Sequence, residues 1–277
     1  MRPVMRYHGA KYRLAPWIMS FFPEHNTYVE PFGGAAGVLL QKPRAYAEIY
    51  NDIDGDIVNV FRVLQNLTLA DQLCRELVLT PFARAEFELA FEAVDDPVER
   101  ARRTIIRASM GFGSAGATKT ATGFRVDSQR QYGTAQRLWA SYPPEIARFT
   151  ERLRGVLIES QPALAVIDQH DAPDTLHYVD PPYLEQTRVG GNRYYRFEMT
   201  DSDHLELLQA LKQLAGMVVL SGYDSELYHD TLSGWQCHKT SARIAAARGT
   251  GVRTECVWLN PVCQAGQPQA SLFAFNS

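Results

Sequence analysis

The chain has 277 residues, 45% of them apolar, and a formal net charge of −3, enough apolar material for one large domain or two modest ones. Its four cysteines, Cys74, Cys237, Cys256 and Cys263, form no C-x-x-C pair, and its seven histidines form no H-E-x-x-H, which argues against a zinc ribbon, a disulfide framework or any metal site. No apolar run reaches the length of a membrane span, and the amino terminus carries no signal-type apolar core, so a cytoplasmic protein with no membrane partner is expected.

Taken in chain order, apolar periodicity predicts a short helix over 11–22, a strand over 27–31, a helix over 35–40, a strand over 45–51 and a helix over 54–65. There the alternation stops. From 69 to about 107 the pattern is helical, with Pro81 and Pro97 placed as breaks near helix starts. Residues 111–123 hold four glycines among serine, threonine and alanine, a loop, and Pro143-Pro144 opens one more helix to about 154. Strand signals resume at 156–158 and 176–179, then at 217–220 after a helix over 202–214, and the tail offers strands at 235–239, 254–259 and 272–275. The expected architecture is an α/β core, residues 1–60 and 155–277, interrupted by a mostly helical insert, 61–154.

Two motifs carry chemistry. Tyr28-Val29-Glu30-Pro31-Phe32-Gly33-Gly34-Ala35-Ala36-Gly37 runs a strand end into a glycine-rich turn of the kind that lets backbone approach a ligand closely. Its spacing is neither the dinucleotide fingerprint nor a phosphate loop, so a ligand without phosphates fits better. At the end of the next strand, Asn51-Asp52-Ile53-Asp54 offers an acid where open α/β sheets hold ribose hydroxyls, although an Asx turn or helix N-cap is equally open to Asp52 and Asp54. Far downstream, Asp180-Pro181-Pro182-Tyr183 follows the apolar run 176–179. The prolines hold the backbone extended and leave carbonyls free. A carboxylate and a carbonyl can accept both hydrogens of an exocyclic amino group, and the tyrosine ring offers a stacking face.

Together with Arg6-Tyr7-His8-Gly9-Ala10-Lys11-Tyr12, these blocks resemble in order and spacing the D12 class of adenine-N6 DNA methyltransferases, which includes the Dam-type adenine methylases. The resemblance implies a Rossmann-like S-adenosylmethionine-dependent methyltransferase core with an inserted target-recognition domain. It implies cofactor contacts from Tyr7, Lys11, Glu30, Pro31, Phe32, Gly33, Gly34, Asp52, Ile53 and Asp180, with Asp52 on the ribose and Ile53 against the cofactor adenine. Asp180, Pro181, Pro182 and Tyr183 would grip the target adenine, flipped out of double-stranded DNA. Tyr7 stands where Dam-type members often have tryptophan, which keeps an aromatic wall, and His8 is expected to make a structural hydrogen bond.

The insert falls where the family keeps target recognition. Residues 100–154 hold eleven basic side chains against Asp127, Glu145 and Glu151, an excess of eight, so the remainder of the chain sums to −11. An ordinary solvated helix face is the bland account; a phosphate-facing surface is the functional one. Arg107, Lys119, Arg125 and Arg130 flank the glycine-rich loop and are the first candidates for DNA contact. The basic and aromatic run 186–197, with Arg188, Arg193 and Tyr195, suits closure over a flipped nucleotide, and 243–253 suits a hairpin loop near DNA. Two other readings remain at this point: an amino methyltransferase acting on RNA or a protein amide, and a catalytically inactive DNA-binding protein on the same frame. Glutamine methyltransferases usually carry Asn where Asp180 stands, and intact Asp180 and Tyr183 argue against a dead frame.

Overall fold

The computed structural model describes residues 2–113, 117, 122–126, 134–188, 194–246 and 249–267, as backbone only where that span includes 242–253. Among the described residues, apolar segments of the sequence become the strands of a seven-stranded sheet: β1 (Thr27–Glu30), β2 (Ala47–Asn51), β3 (Leu157–Glu159), β4 (Thr175–Val179), β5 (Met217–Tyr223), β6 (Gln236–Ala246) and β7 (Gly249–Leu259). Their order is β3-β2-β1-β4-β5-β7-β6. The first five run parallel, and β7 runs antiparallel between β5 and its hairpin partner β6. The order reverses between β1 and β4, the place where open α/β sheets bind ligands beyond their carboxyl ends. The predicted strand at 272–275 lies outside the described residues.

Period-two alternation sends side chains to two apolar layers. Tyr28, Tyr50, Leu176, Tyr178, Val219, Val257 and Leu259 share one cluster. Val179, Val218, Leu220, Cys256 and Trp258 belong to another. The same alternation places Glu30, Asp52 and Asp180 on the first side, at or just past the strand ends that line the cavity, with Tyr223 at the end of β5 paired to Glu255 within β7. Polar residues there are the continuation of a buried stripe.

The described residues form eleven α-helices: α1 (Ala15–Met19), α2 (Gly55–Gln65), α3 (Leu67–Leu79), α4 (Arg84–Leu89), α5 (Pro97–Met110), α6 (Ala135–Ala140), α7 (Ile146–Leu153), α8 (Ala163–Gln169), α9 (Asp201–Leu211), α10 (Glu226–Thr231) and α11 (Pro261–Gly266). Their starts follow local chemistry. Asp54 caps α2 by accepting from the Asp56 N–H, Asp96 caps α5 ahead of Pro97, and Thr200 with Asp203 forms a capping box on α9. Helices α8, α9 and α10 contribute to the second side of the sheet through Ile167, Leu207, Leu211 and Tyr228. Among the described residues no helix is long and apolar enough to cross a membrane.

One expectation is corrected. No helix forms over 35–40, where Ala36 takes a positive φ of 53° and the chain makes successive turns; a left-handed residue cannot propagate a right-handed helix. The expected boundary at residue 60 falls inside α2, and among the described residues the helices after it share the sheet's core. Phe61 and Leu64 of α2, Leu73 of α3, Ile105 of α5 and Phe149 of α7 join the cluster that holds Tyr28 and Tyr50 of the sheet. The helices are a layer on the core.

Candidate active site

The carboxyl ends of β1, β2 and β4 open into one cavity of about 430 Å³. Tyr7, Lys11, Glu30, Pro31, Phe32, Gly33, Gly34, Asp52, Ile53 and Asp180 all line it, so the three upstream blocks and the D-P-P-Y acid meet in one space. Pro182 also faces the cavity. Asn51, which the sequence reading left without a role, ties the rim together: its amide donates to the carbonyls of Pro31 (2.9 Å) and Gln161 (3.0 Å).

Asp52 is fixed by two backbone donors, the N–H of Gly34 to one oxygen and the N–H of Asp54 to the other, each at 2.8 Å. Burial nevertheless pushes its carboxyl up to about 6, against those hydrogen bonds. Glu30 accepts from the Tyr28 hydroxyl (2.7 Å) and the Leu39 N–H (3.0 Å), and burial pushes it up to about 8. The glycine turn is needed by neighbouring rings as much as by a ligand. A Cβ on Gly33 would collide with the Tyr50 ring, and Gly34, at φ +48°, is backed by the Tyr7 ring. His8 stacks on Tyr194, ring centroids 3.8 Å apart, and its carbonyl accepts from the Tyr195 hydroxyl.

At the other end of the cavity the Lys11 ammonium sits 2.9 Å from Asp180 Oδ1, donates to the Gly9 carbonyl at 2.8 Å, and lies 4.5 Å from the centroid of the Tyr183 ring. Burial raises the Asp180 carboxyl, and Lys11 pulls it back. Lys11 is itself pulled down by burial, but Asp180 and Glu255 outweigh this and lift it above the ordinary lysine range. The cation therefore sits against both the Asp180 carboxylate and the Tyr183 ring. Sequence reading missed two residues here, Tyr223 and Glu255, which touch Tyr183 from β5 and β7. Nothing in the local pattern around Glu255 marks it, because its partner lies 72 positions away.

After Tyr183, the described residues 195–199 reach the rim of the cavity. Arg196 bridges to Asp54 and Asp56, both at 3.0 Å, and Arg188 pairs with Glu198 at 2.7 Å. Tyr195 and Arg196 line the cavity. Several of the residues expected to contact DNA have partners within the protein. Arg107 is buried, donating to the Ala90 carbonyl (2.6 Å) and to Asp56 (3.2 Å), and Arg125 is buried as well. A guanidinium already desolvated and bonded inside the fold cannot serve as a phosphate contact without leaving its partners. Arg188 and Tyr195 are likewise engaged within the protein. Lys119, Arg130 and Arg193 lie outside the described residues, and the side chains of 243–253 are not described. Much of the basic excess is balanced internally: Arg100 and Arg107 by Asp56, Arg102 and Arg103 by Glu99, Arg152 by Glu48.

The cavity suits a nucleoside sulfonium. Asp54 Oδ2 is buried there with no hydrogen-bond partner among the described residues, an acceptor left for a hydroxyl, and the half-exposed Ile53 beside it offers an apolar surface. Among the described residues no group of His, Cys, Asp and Glu is arranged to hold a metal ion.

A family model described as D12 class N6 adenine-specific DNA methyltransferase matches residues 7–245. The chain is 24% identical to the DNA adenine methylase of Salmonella typhi over 275 residues, 96% of each chain. It is 23% identical to the DNA adenine methylase of Escherichia coli (strain K12) over 262 residues, 91% of each. With the Modification methylase LlaI of Lactococcus lactis subsp. lactis it shares 24% over 218 residues, 76% of this chain and 34% of that protein.

Proposed function

Because the chain belongs to the D12 class of N6 adenine-specific DNA methyltransferases and so is an S-adenosylmethionine-dependent enzyme, we propose that it methylates a specific adenine turned out of duplex DNA into the site at Asp180–Tyr183. The single observation that carries this reading is the shared cavity, in which Gly33 and Gly34 of the first motif face Asp180 and Pro182 of the last. Bound S-adenosylmethionine supplies an electrophilic methyl group on sulfur. Asp52, Asp54 and Ile53 hold the nucleoside end, and Tyr7 walls the glycine turn.

The amino group of adenine is a poor nucleophile because its lone pair is delocalised into the ring. The Asp180 carboxylate and the Pro181 carbonyl accept its two hydrogens, which favours a pyramidal nitrogen and aims the lone pair along the transfer line. Lys11 has to yield its place on Asp180 to that amino group. As positive charge develops on nitrogen, Asp180 stabilises it and, being raised by burial, is suited to take the proton that leaves. Stacking on Tyr183 offsets part of the extrusion cost, roughly a few kcal/mol. We assign target recognition to the helical layer α3–α7, which in chain order follows the glycine-turn motif and precedes Asp180–Tyr183.

The test is Asp180→Ala with labelled S-adenosylmethionine and unmethylated duplex DNA. Methyl transfer is expected to disappear while DNA affinity stays nearly unchanged. A variant that kept most of its activity would remove Asp180 from the chemistry.

A further inference from the structure

Tyr183 is held from a direction the D-P-P-Y motif does not supply. Two prolines fix the backbone before it but leave its ring free to turn about χ1. Its hydroxyl donates to Glu255 Oε2 at 2.8 Å, and Tyr223 packs edge-on against its ring at 4.5 Å and 75°. Tyr223 and Glu255 are directly paired across the β5–β7 ladder, so they share one face of the sheet. Glu255 is 6% exposed. A ring attached at Cβ and tethered at its far tip cannot swing without breaking the tether.

We infer that Glu255 is a positioning residue for methyl transfer, acting with Tyr223 to hold the Tyr183 ring in the orientation on which the target base stacks. The inference rests on the proposed role of Asp180–Tyr183. The antiparallel strand β7 thereby contributes to a site otherwise built from parallel strand ends. Holding the ring in advance spares the rotamer entropy that a mobile side chain loses when the base arrives. The same carboxyl attracts Lys11, which keeps that cation in balance once the base displaces it from Asp180.

Steady-state methylation of unmethylated duplex DNA, with cofactor affinity measured by calorimetry, tests the assignment in Glu255→Ala, Glu255→Gln, Tyr183→Phe, Tyr183→Ala and the double variant Glu255→Ala/Tyr183→Phe. Glu255→Ala should lower kcat about tenfold, the scale of one lost hydrogen bond to a charged acceptor. Glu255→Gln, which keeps an acceptor, should recover most of that loss. Adding Tyr183→Phe to Glu255→Ala should cost nothing further, and cofactor affinity should hold throughout. Additive losses, or loss of cofactor binding in Glu255→Ala, overturn the inference. So does wild-type kcat in Glu255→Ala while Tyr183→Ala is inactive, a result that leaves the proposed site standing. Full activity in Tyr183→Ala instead strikes the site itself. If Glu255→Ala does not fold, Tyr183→Phe severs the same bond from the other end, and wild-type kcat there overturns the inference.

Discussion

Glu30→Gln should make the protein more stable in mild alkali and leave it nearly unchanged in mild acid. Glu30 is 2% exposed and ionises near 8 in the fold against an ordinary 4.5, because burial penalises its charged form. Below pH 4.5 the carboxyl is neutral in both folded and unfolded chains. Between 4.5 and 8 the unfolded chain releases the proton while the fold retains it, so wild-type stability falls across that window; above 8 the loss is complete. The full difference corresponds to an upper bound of about 5 kcal/mol. Glutamine can never ionise, and its amide oxygen can accept from both the Tyr28 hydroxyl and the Leu39 N–H. Weakened bonds cost about 1 kcal/mol, so the gain wins at high pH. Urea unfolding from pH 5 to pH 9 should show the variant overtaking wild type with a gap of about 2–4 kcal/mol at the alkaline end. A gap that stays flat with pH would mean that Glu30 is not held neutral by burial.

Arg196→Ala removes both bridges to Asp54 and Asp56 at the cavity rim; cofactor dissociation should quicken about two- to fivefold, the scale of half-exposed ion pairs, and an unchanged rate in stopped-flow would deny the segment a closing role. Arg107→Ala should cost about 2–4 kcal/mol of stability, since it strips a partner from buried groups, and should leave the salt dependence of DNA binding untouched; a flattened salt slope with intact stability would restore Arg107 to the DNA surface. Lys11→Met removes the cation that holds the Asp180 carboxyl down against burial, so the acid limb of the pH–rate profile should move to higher pH. An unmoved limb would separate Lys11 from the ionisation of Asp180.

Alternation made much of the site legible. Once 176–179 is a strand buried on both sides, Asp180 must continue the side that carries Leu176 and Tyr178, and the same parity carries Tyr28 to Glu30. That Tyr7, Lys11, 30–34, Asp52 and Asp180 share one cavity could be read because each block sits at or near a strand end, and strand ends of a parallel sheet lie together. Glu255 could not be read, since its place at Tyr183 depends on β7 returning antiparallel beside β5. Gly33 was legible as a close approach but not for its cause, which includes the Tyr50 ring arriving from the next strand. The missing helix at 35–40 turns on one backbone angle at Ala36 that composition does not encode.

Charge was the least legible property, because counting signs along a segment ignores partners outside it. Asp56 explains why. It sits in the first turn of α2, two residues past the N-cap Asp54, and receives Arg100 at 2.7 Å and Arg107 at 3.2 Å from α5, with Arg196 at 3.0 Å from the segment beyond Tyr183. The arginines hold its carboxyl below the usual range even though burial acts the other way. Three arginines from two distant stretches of sequence thus converge on one acid close to the cavity rim at Asp54. Arg100 and Arg107 tie α5 to α2, while Arg102 and Arg103 pair with Glu99 of α5 itself and Arg102 also with Glu86 of α4. Any duplex-facing charge of that layer must therefore come from basic residues other than those that pair with Asp56, Glu99 and Glu48.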